Sequence, residues 1–328
     1  MNRRFWTALM AAGAVCAATS CSDKEKDIEI PIPEPEVKEL VLYATGSDGT
    51  QGVYWCNDTA ATLASPISET AKWTRGKAIE VVGDDIYVAG YENKSAILWK
   101  NGIPTTLTDN TKEVSVNDLA ISGNDIYVAG AYNGAAVIWK NGVKEELSSY
   151  GEVRAIVIDG TDFYAAGYDN GVATVWKNGK AIALTSDNWN ESSANGICIY
   201  NGKAYAAGYH DSEAAMWEIS GETVTETMLT DDYNYAQCRC IALDAATGTI
   251  YCAGNDGQNP AYWVNGQKTV LASCSNFGNV LGAVCVDGKV FMCGSNDNKA
   301  VVWINGVETV MADSKSSPSV YAICVVEK

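Results

Sequence analysis

Side chains able to do acid–base or nucleophilic chemistry are unevenly supplied in this chain. His210 is the sole histidine among 328 residues. A Ser-His or Cys-His pair could therefore form only there, and a histidine cluster for zinc is impossible. Eleven cysteines are present, none in CxxC spacing; Cys238 and Cys240 stand two apart on an expected strand. Beyond Cys16 and Cys21, the cysteines lie mostly in apolar runs such as Ile197-Cys198-Ile199 and Val284-Cys285-Val286. That placement reads as buried free thiols acting as small hydrophobes better than as a disulfide framework. Carboxylates are abundant, and two of them flanking a sugar could run a glycosidase. Asp- and Asn-rich loops could also recruit calcium, yet no Asp-x-Asp-x-Asp-Gly loop with a distal Glu occurs. No residue is singled out as catalytic, and neither a cofactor nor a metal centre is expected.

The chemistry that does recur is aromatic and polar. Short stretches pair a ring with a carboxylate or amide: Tyr91-Glu92-Asn93, Tyr132-Asn133, Tyr168-Asp169-Asn170, Tyr209-His210-Asp211, Asn255-Asp256 and Asn296-Asp297-Asn298. Longer connections add Trp73, Trp189 and Tyr233. Pyranose C–H faces stack on rings while their hydroxyls exchange hydrogen bonds with neighbouring polar groups, so the arrangement suits a glycan. The candidate ligand-binding residues are Trp73, Tyr91, Tyr132, Tyr168, Asp169, Trp189, Tyr209, His210, Asp211, Tyr233, Asp256 and Asp297. The plainer explanation is that Asn, Asp and Gly make turns and Tyr covers a sheet edge.

What must position these residues is a repeat. Seven tryptophans each follow a glycine by nine residues, at Gly46/Trp55, Gly90/Trp99, Gly130/Trp139, Gly167/Trp176, Gly208/Trp217, Gly254/Trp263 and Gly294/Trp303. A period of roughly 40 residues means one supersecondary unit copied in series. Within the third copy, apolar runs at 116–122, 126–129, 136–139 and 143–147 are separated by turn signals, Asn141-Gly142 among them. Asn-Gly between such runs favours a two-residue hairpin. Four short strands per copy predict an all-β, seven-bladed β-propeller of four-stranded antiparallel blades. The first copy starts at its second strand and the chain ends on an orphan first strand at 321–326, so N- and C-terminal strands should pair in one blade and close the ring. One indole per blade, at the same place in the third strand, is assigned to the core between sheets; this structural set is Trp55, Trp99, Trp139, Trp176, Trp217, Trp263 and Trp303. First-to-second and third-to-fourth turns should share one face; second-to-third and fourth-to-first connections share the other, where divergence in length and composition makes the candidate binding face. The repeat resembles the tryptophan-marked propeller repeats of bacterial surface lipoproteins. It departs from WD40 and kelch patterns, since no Gly-His or Trp-Asp dipeptide recurs, and Gly46-Ser47-Asp48-Gly49 only brushes the sialidase-type Asp-box.

The N-terminus carries an export signal over 1–20: Arg3 and Arg4, an apolar stretch too short to span a bilayer, then Ala18-Thr19-Ser20-Cys21. This segment resembles the lipobox of bacterial lipoproteins, and the resemblance implies Cys21 as the acylated residue, carrying palmitate-type chains that hold the protein on a membrane surface. Residues 21–39 then read as a Pro/acidic tether, and 40–328 as the propeller. The acidic residues after Cys21 look like the export tag of Bacteroidota lipoproteins, which implies the outer face of the outer membrane; the alternative is the periplasmic face. The formal charge is −17 and becomes about −19 once Arg3 and Arg4 leave with the signal. Such a surface repels phosphate backbones, and no basic cluster interrupts the sequence, so nucleic acid is not an expected partner. The reading is a lipid-anchored, non-catalytic propeller that captures a glycan or docks a protein partner. The alternative is a carbohydrate-active enzyme using carboxylates on the variable face.

Overall fold

The computed structural model describes residues 38–66, 73–186, 191–231, 234–314 and 316–328. Lys38–Lys328 form one compact unit. Among the described residues, twenty-eight strands, arranged as seven four-stranded sheets, account for the regular structure. Every sheet is an antiparallel meander, and together they make a seven-bladed propeller. Six blades use consecutive strands. The remaining blade joins the C-terminal strand Ser319–Glu327 to Leu40–Asp48, Gln51–Cys56 and Thr59–Thr62. Its seam runs from Leu40 opposite Glu327 to Ser47 opposite Ser319. Glu39 and Lys328 add a reciprocal pair of backbone hydrogen bonds, both 2.9 Å. Closure of this kind removes the unpaired edges that an open ring of blades would present.

Hairpin chemistry follows from backbone geometry. At Asn141-Gly142 both residues have positive φ, 51° and 80°, as a type I′ turn requires. The Asn141 side chain adds a latch: its Oδ1 accepts from the Ile126 amide at 2.9 Å and its Nδ2 donates to Asp125 at 2.8 Å. Asn101 with Asp85 and Asn178 with Asp162 repeat the latch.

The repeat glycine has a steric cause. Each innermost strand carries a one-residue bulge, for example Asn117 between Val116 and Asp118 in Val114–Ser122, and the repeat glycine of the adjacent strand pairs with the residue just before it. A Cβ on Gly130 would lie 2.0 Å from the carbonyl oxygen of Ser115, and the other six glycines meet their own inner strands at 1.8 to 2.0 Å. Only a residue without a side chain lets the two backbones approach this closely.

The seven repeat tryptophans, Trp55, Trp99, Trp139, Trp176, Trp217, Trp263 and Trp303, all sit on third strands and are at most 2% exposed. They belong to the interior, and none of them is placed to touch a ligand. Each packs against the preceding blade. Trp99 shares a buried cluster with Tyr43 and Leu63, Trp139 with Ala78, Ala89 and Ala96, and Trp176 with Ala129, Ala136 and Ile138. Further round the ring, Trp217 clusters with Ala155, Ala166 and Ala173, Trp263 with Ala207 and Ala214, and Trp303 with Cys240 and Ala253. Trp55 clusters with Phe291, Ala300 and Val302 across the ring closure. Small residues on the facing blade leave room for most of these indoles. Burying about 150–250 Å² at about 25 cal/mol per Å² contributes roughly 4–6 kcal/mol per ring as an upper bound.

The seven indoles share a place without sharing a hydrogen bond. Trp99 Nε1 donates to the Ala64 carbonyl at 2.7 Å and Trp217 Nε1 to Glu226 Oε1 at 3.0 Å. Those of Trp176, Trp263 and Trp303 are buried with no acceptor. Packing, not polar pairing, is what the seven positions have in common.

Candidate functional site

Along the axis the seven innermost strands surround a cavity of about 280 Å³. The bulges supply its distinctive chemistry. An extra residue in one strand re-aims its side chain, and the seven extra residues are Lys77, Asn117, Arg154, Asn195, Arg239, Leu281 and Tyr321. All seven line the cavity. The residue after each bulge is small in six blades, Ala78, Ala155, Gly196, Cys240, Gly282 and Ala322, which keeps the space open. Asp118 occupies that place in the seventh.

Three cations therefore face one another inside an acidic protein. Burial, then Arg154, then Arg75 and Arg239, push the Lys77 ammonium down to about 8, against the opposing pull of Glu152. Lys77 Nζ also sits 4.0 Å from the centroid of the Tyr321 ring, a cation–π contact. Burial and Arg154 hold Arg239 below its usual value. Arg154 is the partnered one: its guanidinium lies 2.8 Å from Glu152 Oε2, while Glu152 Oε1 accepts from Ser115 Oγ and Asn117 Nδ2 at 2.6 and 2.8 Å. The Nε atoms of Arg154 and Arg239 are buried with no acceptor. Asn117 and Asn195 brace the ring, donating to the Val153 and Cys238 carbonyls of neighbouring blades at 2.7 Å each.

Two carboxylates with raised pKa lie in the same region. Burial lifts Asp118 to about 6, and burial together with Asp118 lifts Glu80 to about 7. Both are tied to backbone. Asp118 accepts from the Ile156 amide of the next blade at 2.8 Å and from Leu119 at 2.9 Å, and Glu80 takes a hydrogen bond from the Ile121 backbone. They staple adjacent inner strands together. The nine cysteines among the described residues are free thiols, and burial pushes those of Cys285 and Cys324 up to about 11 and that of Cys198 to about 12. No group of three or more His, Cys, Asp and Glu among the described residues is placed to hold a metal ion.

The predicted binding residues divide by strand alternation. Tyr91, Tyr132, Tyr168, Asp169, Tyr209, His210 and Asp256 lie on the ends of second strands. The expectation that second-to-third connections diverge in length is corrected: all seven are two-residue turns, so each strand runs on to the tip, and on this face only fourth-to-first connections vary. Successive side chains on a strand point to opposite faces. Residues directly after the repeat glycine turn toward the axis. Tyr91 pairs with Arg75, Tyr168 with Glu152 and Tyr209 with Ser193. Burial raises all three phenols, with Tyr91 beside Arg75 and Tyr321, Tyr168 beside Glu152 and Arg154, and Tyr209 beside Glu191, Arg154 and Arg239.

Residues two places after the glycine turn outward. The Tyr132 hydroxyl donates to Asp109 at 3.2 Å and its ring lies under Lys144. Asp169 accepts from Ser148 and Asn170. His210 Nδ1 lies 2.8 Å from Glu226, and Asp256 is 2.5 Å from Lys268. These partners on or beside outer strands hold the four residues away from the axis. Asp211 and Asp297 occupy turns at positive φ, and Asp297 accepts the Ser275 and Asn276 amides at 3.1 and 2.8 Å, which holds its carboxyl below the usual range. Trp73 is 53% exposed, with the Arg75 guanidinium 5.1 Å from its ring. Trp189, Tyr233 and Cys21 lie outside the described residues.

Sequence reasoning missed Lys77, Arg154, Arg239 and Tyr321. A signal existed, because Lys77, Asn117, Arg154, Asn195 and Leu281 each stand thirteen places before their repeat glycines, Gly90, Gly130, Gly167, Gly208 and Gly294.

No family model matches this chain, and no curated protein does. Solved structures resemble it in fold alone. The WD40 propeller domain of Doa1 superposes with a TM-score of 0.54 at 14% identity, covering 84% of this chain and 91% of that one. A computationally designed protein, Ika8, gives 0.50 at 17%, covering 86% and 88%. The extracellular domain of a one-component system from B. thetaiotaomicron gives 0.51 at 10%, covering 81% of this chain and 38% of that one.

Proposed function

We propose that this chain is a non-catalytic binding propeller, held by lipid at Cys21 on the outer face of a bacterial outer membrane, that captures a glycan or docks a protein partner at its axis. The observation that carries the reading is convergence. Bulge residues from all seven blades line one cavity, with Tyr91 near Tyr321 and Tyr168 and Tyr209 near Arg154, while the raised carboxylates of Asp118 and Glu80 are buried and each accepts a backbone amide. Rings and donors around a rigid opening recognise ligands; the general acid and base of a glycosidase must instead be free to reach the glycosidic oxygen and a water or anomeric carbon. A glycan array probed with residues 38–328, which contain every blade and the closing strand pair, tests this beside a Tyr168→Ala/Tyr209→Ala variant. Binding that disappears in the variant supports the reading. Capture of no glycan and no surface protein, or equal capture by the variant, refutes it. Protease shaving of intact cells, with Cys21→Ser as the control for lipidation, tests the location.

A further inference from the structure

The fold gathers positive charge from blades far apart in sequence into the centre of a protein whose formal charge is −17. Lys77, Arg154 and Arg239 come from three different innermost strands, Thr74–Val82, Gly151–Asp159 and Gln237–Asp244, and line one cavity. Glu152 neutralises one of them; among the described residues neither Lys77 nor Arg239 has a carboxylate partner within ion-pair distance. Like charges concentrated away from bulk water are unfavourable unless something of opposite sign joins them. Two guanidinium Nε donors are buried without an acceptor, although buried polar groups are normally satisfied.

We propose that the central cavity is an anion site that takes an acidic ligand the size of one sugar ring, its oxyanion held by Lys77 and Arg239 with Arg154 beside them. The inference deepens the binding reading above by naming the ligand class. Arginine forks match carboxylate and sulfate oxygens in two-point contacts, and lysine adds a point charge. A volume of about 280 Å³ equals roughly nine waters and stands at the small end of ligand pockets. It has room for a single sugar ring. Tyr321, already under the Lys77 ammonium, offers an aromatic face to the ring of such a ligand. The acidic exterior disfavours polyanions, which would have to bring many charges close to that surface.

The groups facing Lys77 set a pH signature. They are Arg75 on its own strand, Glu152 and Arg154, Arg239, and the Tyr321 ring. Since Lys77 loses its proton near pH 8 in the empty site, anion affinity should fall as pH rises through about 8. Lys77→Arg should abolish that step, because a guanidinium stays charged.

Calorimetric titration of residues 38–328 at low ionic strength with D-glucuronate, D-glucose and inorganic sulfate tests the proposal. The expected result is binding of glucuronate, competition by sulfate and no heat with glucose. Lys77→Met and Arg239→Gln should each weaken glucuronate at least about tenfold while melting no lower than the parent, since each relieves like-charge crowding. Four outcomes overturn it: no glucuronate binding at millimolar concentration, equal binding of glucose, sulfate binding without glucuronate, or unchanged affinity in both variants. Neutral glycans that bind through Tyr168 and Tyr209 while anions do not would refute the anion site and leave the binding function standing. Anion binding with no glycan or protein captured would do the reverse.

Discussion

Replacing Gly130 by alanine puts a methyl carbon 2.0 Å from the Ser115 carbonyl oxygen and 2.8 Å from its carbon, whereas real Cβ atoms essentially never come within 3.0 Å of a neighbour. Both partners are backbone, so no side-chain rotation relieves the clash. The second strand must draw back from the inner one, opening the Gly130–Val116 pair beside the bulge. Overpacking of this kind costs about 1–3 kcal/mol, and weakening one or two ladder hydrogen bonds adds about 1 kcal/mol each. A total near 3 kcal/mol follows, or a fall in melting temperature of roughly 5 °C for a folded unit of this size. Gly134→Ala is the matched control. Its φ is +82° with nothing within 4 Å of the new carbon, so only the left-handed backbone penalty applies, about 1 kcal/mol. Urea midpoints and calorimetric melting of both variants measure the difference. Equal destabilisation by the two substitutions would refute the close-approach account of the repeat glycine.

Trp139→Ala should cost roughly 3–5 kcal/mol, because the 1%-exposed indole is the largest side chain of the buried cluster that includes Ala78, Ala89 and Ala96; a melting temperature equal to the parent's would contradict its packing role. Asp118→Asn should change stability in a pH-dependent way. The folded value, about 6, lies above the ordinary 3.8, so the burden of ionising this carboxyl is present above pH 6 and vanishes as pH falls below 3.8. The asparagine oxygen can accept only one of the Ile156 and Leu119 amides that the carboxylate accepts, so the linkage is read from the pH dependence: relative to the parent, the variant's urea midpoint should rise between pH 3 and pH 7, and a constant difference across that range would refute it.

Much of the architecture could be read from residue spacing, and the reason is local. Glycine before the third-strand tryptophan, Asn-Gly at the hairpins and an orphan strand near Tyr321 are signals carried by short segments, and each maps onto an observed blade, turn or closing pair. The binding surface was far less legible. Tyr91 and Tyr132 look alike in sequence, each near a repeat glycine, yet one faces the axis and the other an outer strand, because a one-residue offset on a strand reverses the direction of the side chain. Reading both as loop residues concealed that alternation. Lys77, Arg154 and Arg239 looked like isolated charges, since the bulge position takes a different residue type from blade to blade and the three are separated by whole blades.

Composition and spacing by themselves determined that this chain folds as seven like units whose ends meet, since turn chemistry, strand alternation and the fit of one indole per unit act between near neighbours. Which side chains share the axis was decided only when the ring closed. A bulge aims one residue per blade at a common centre, and curvature of the whole assembly, not any local preference, brings cations of distant sequence into one electrostatic neighbourhood.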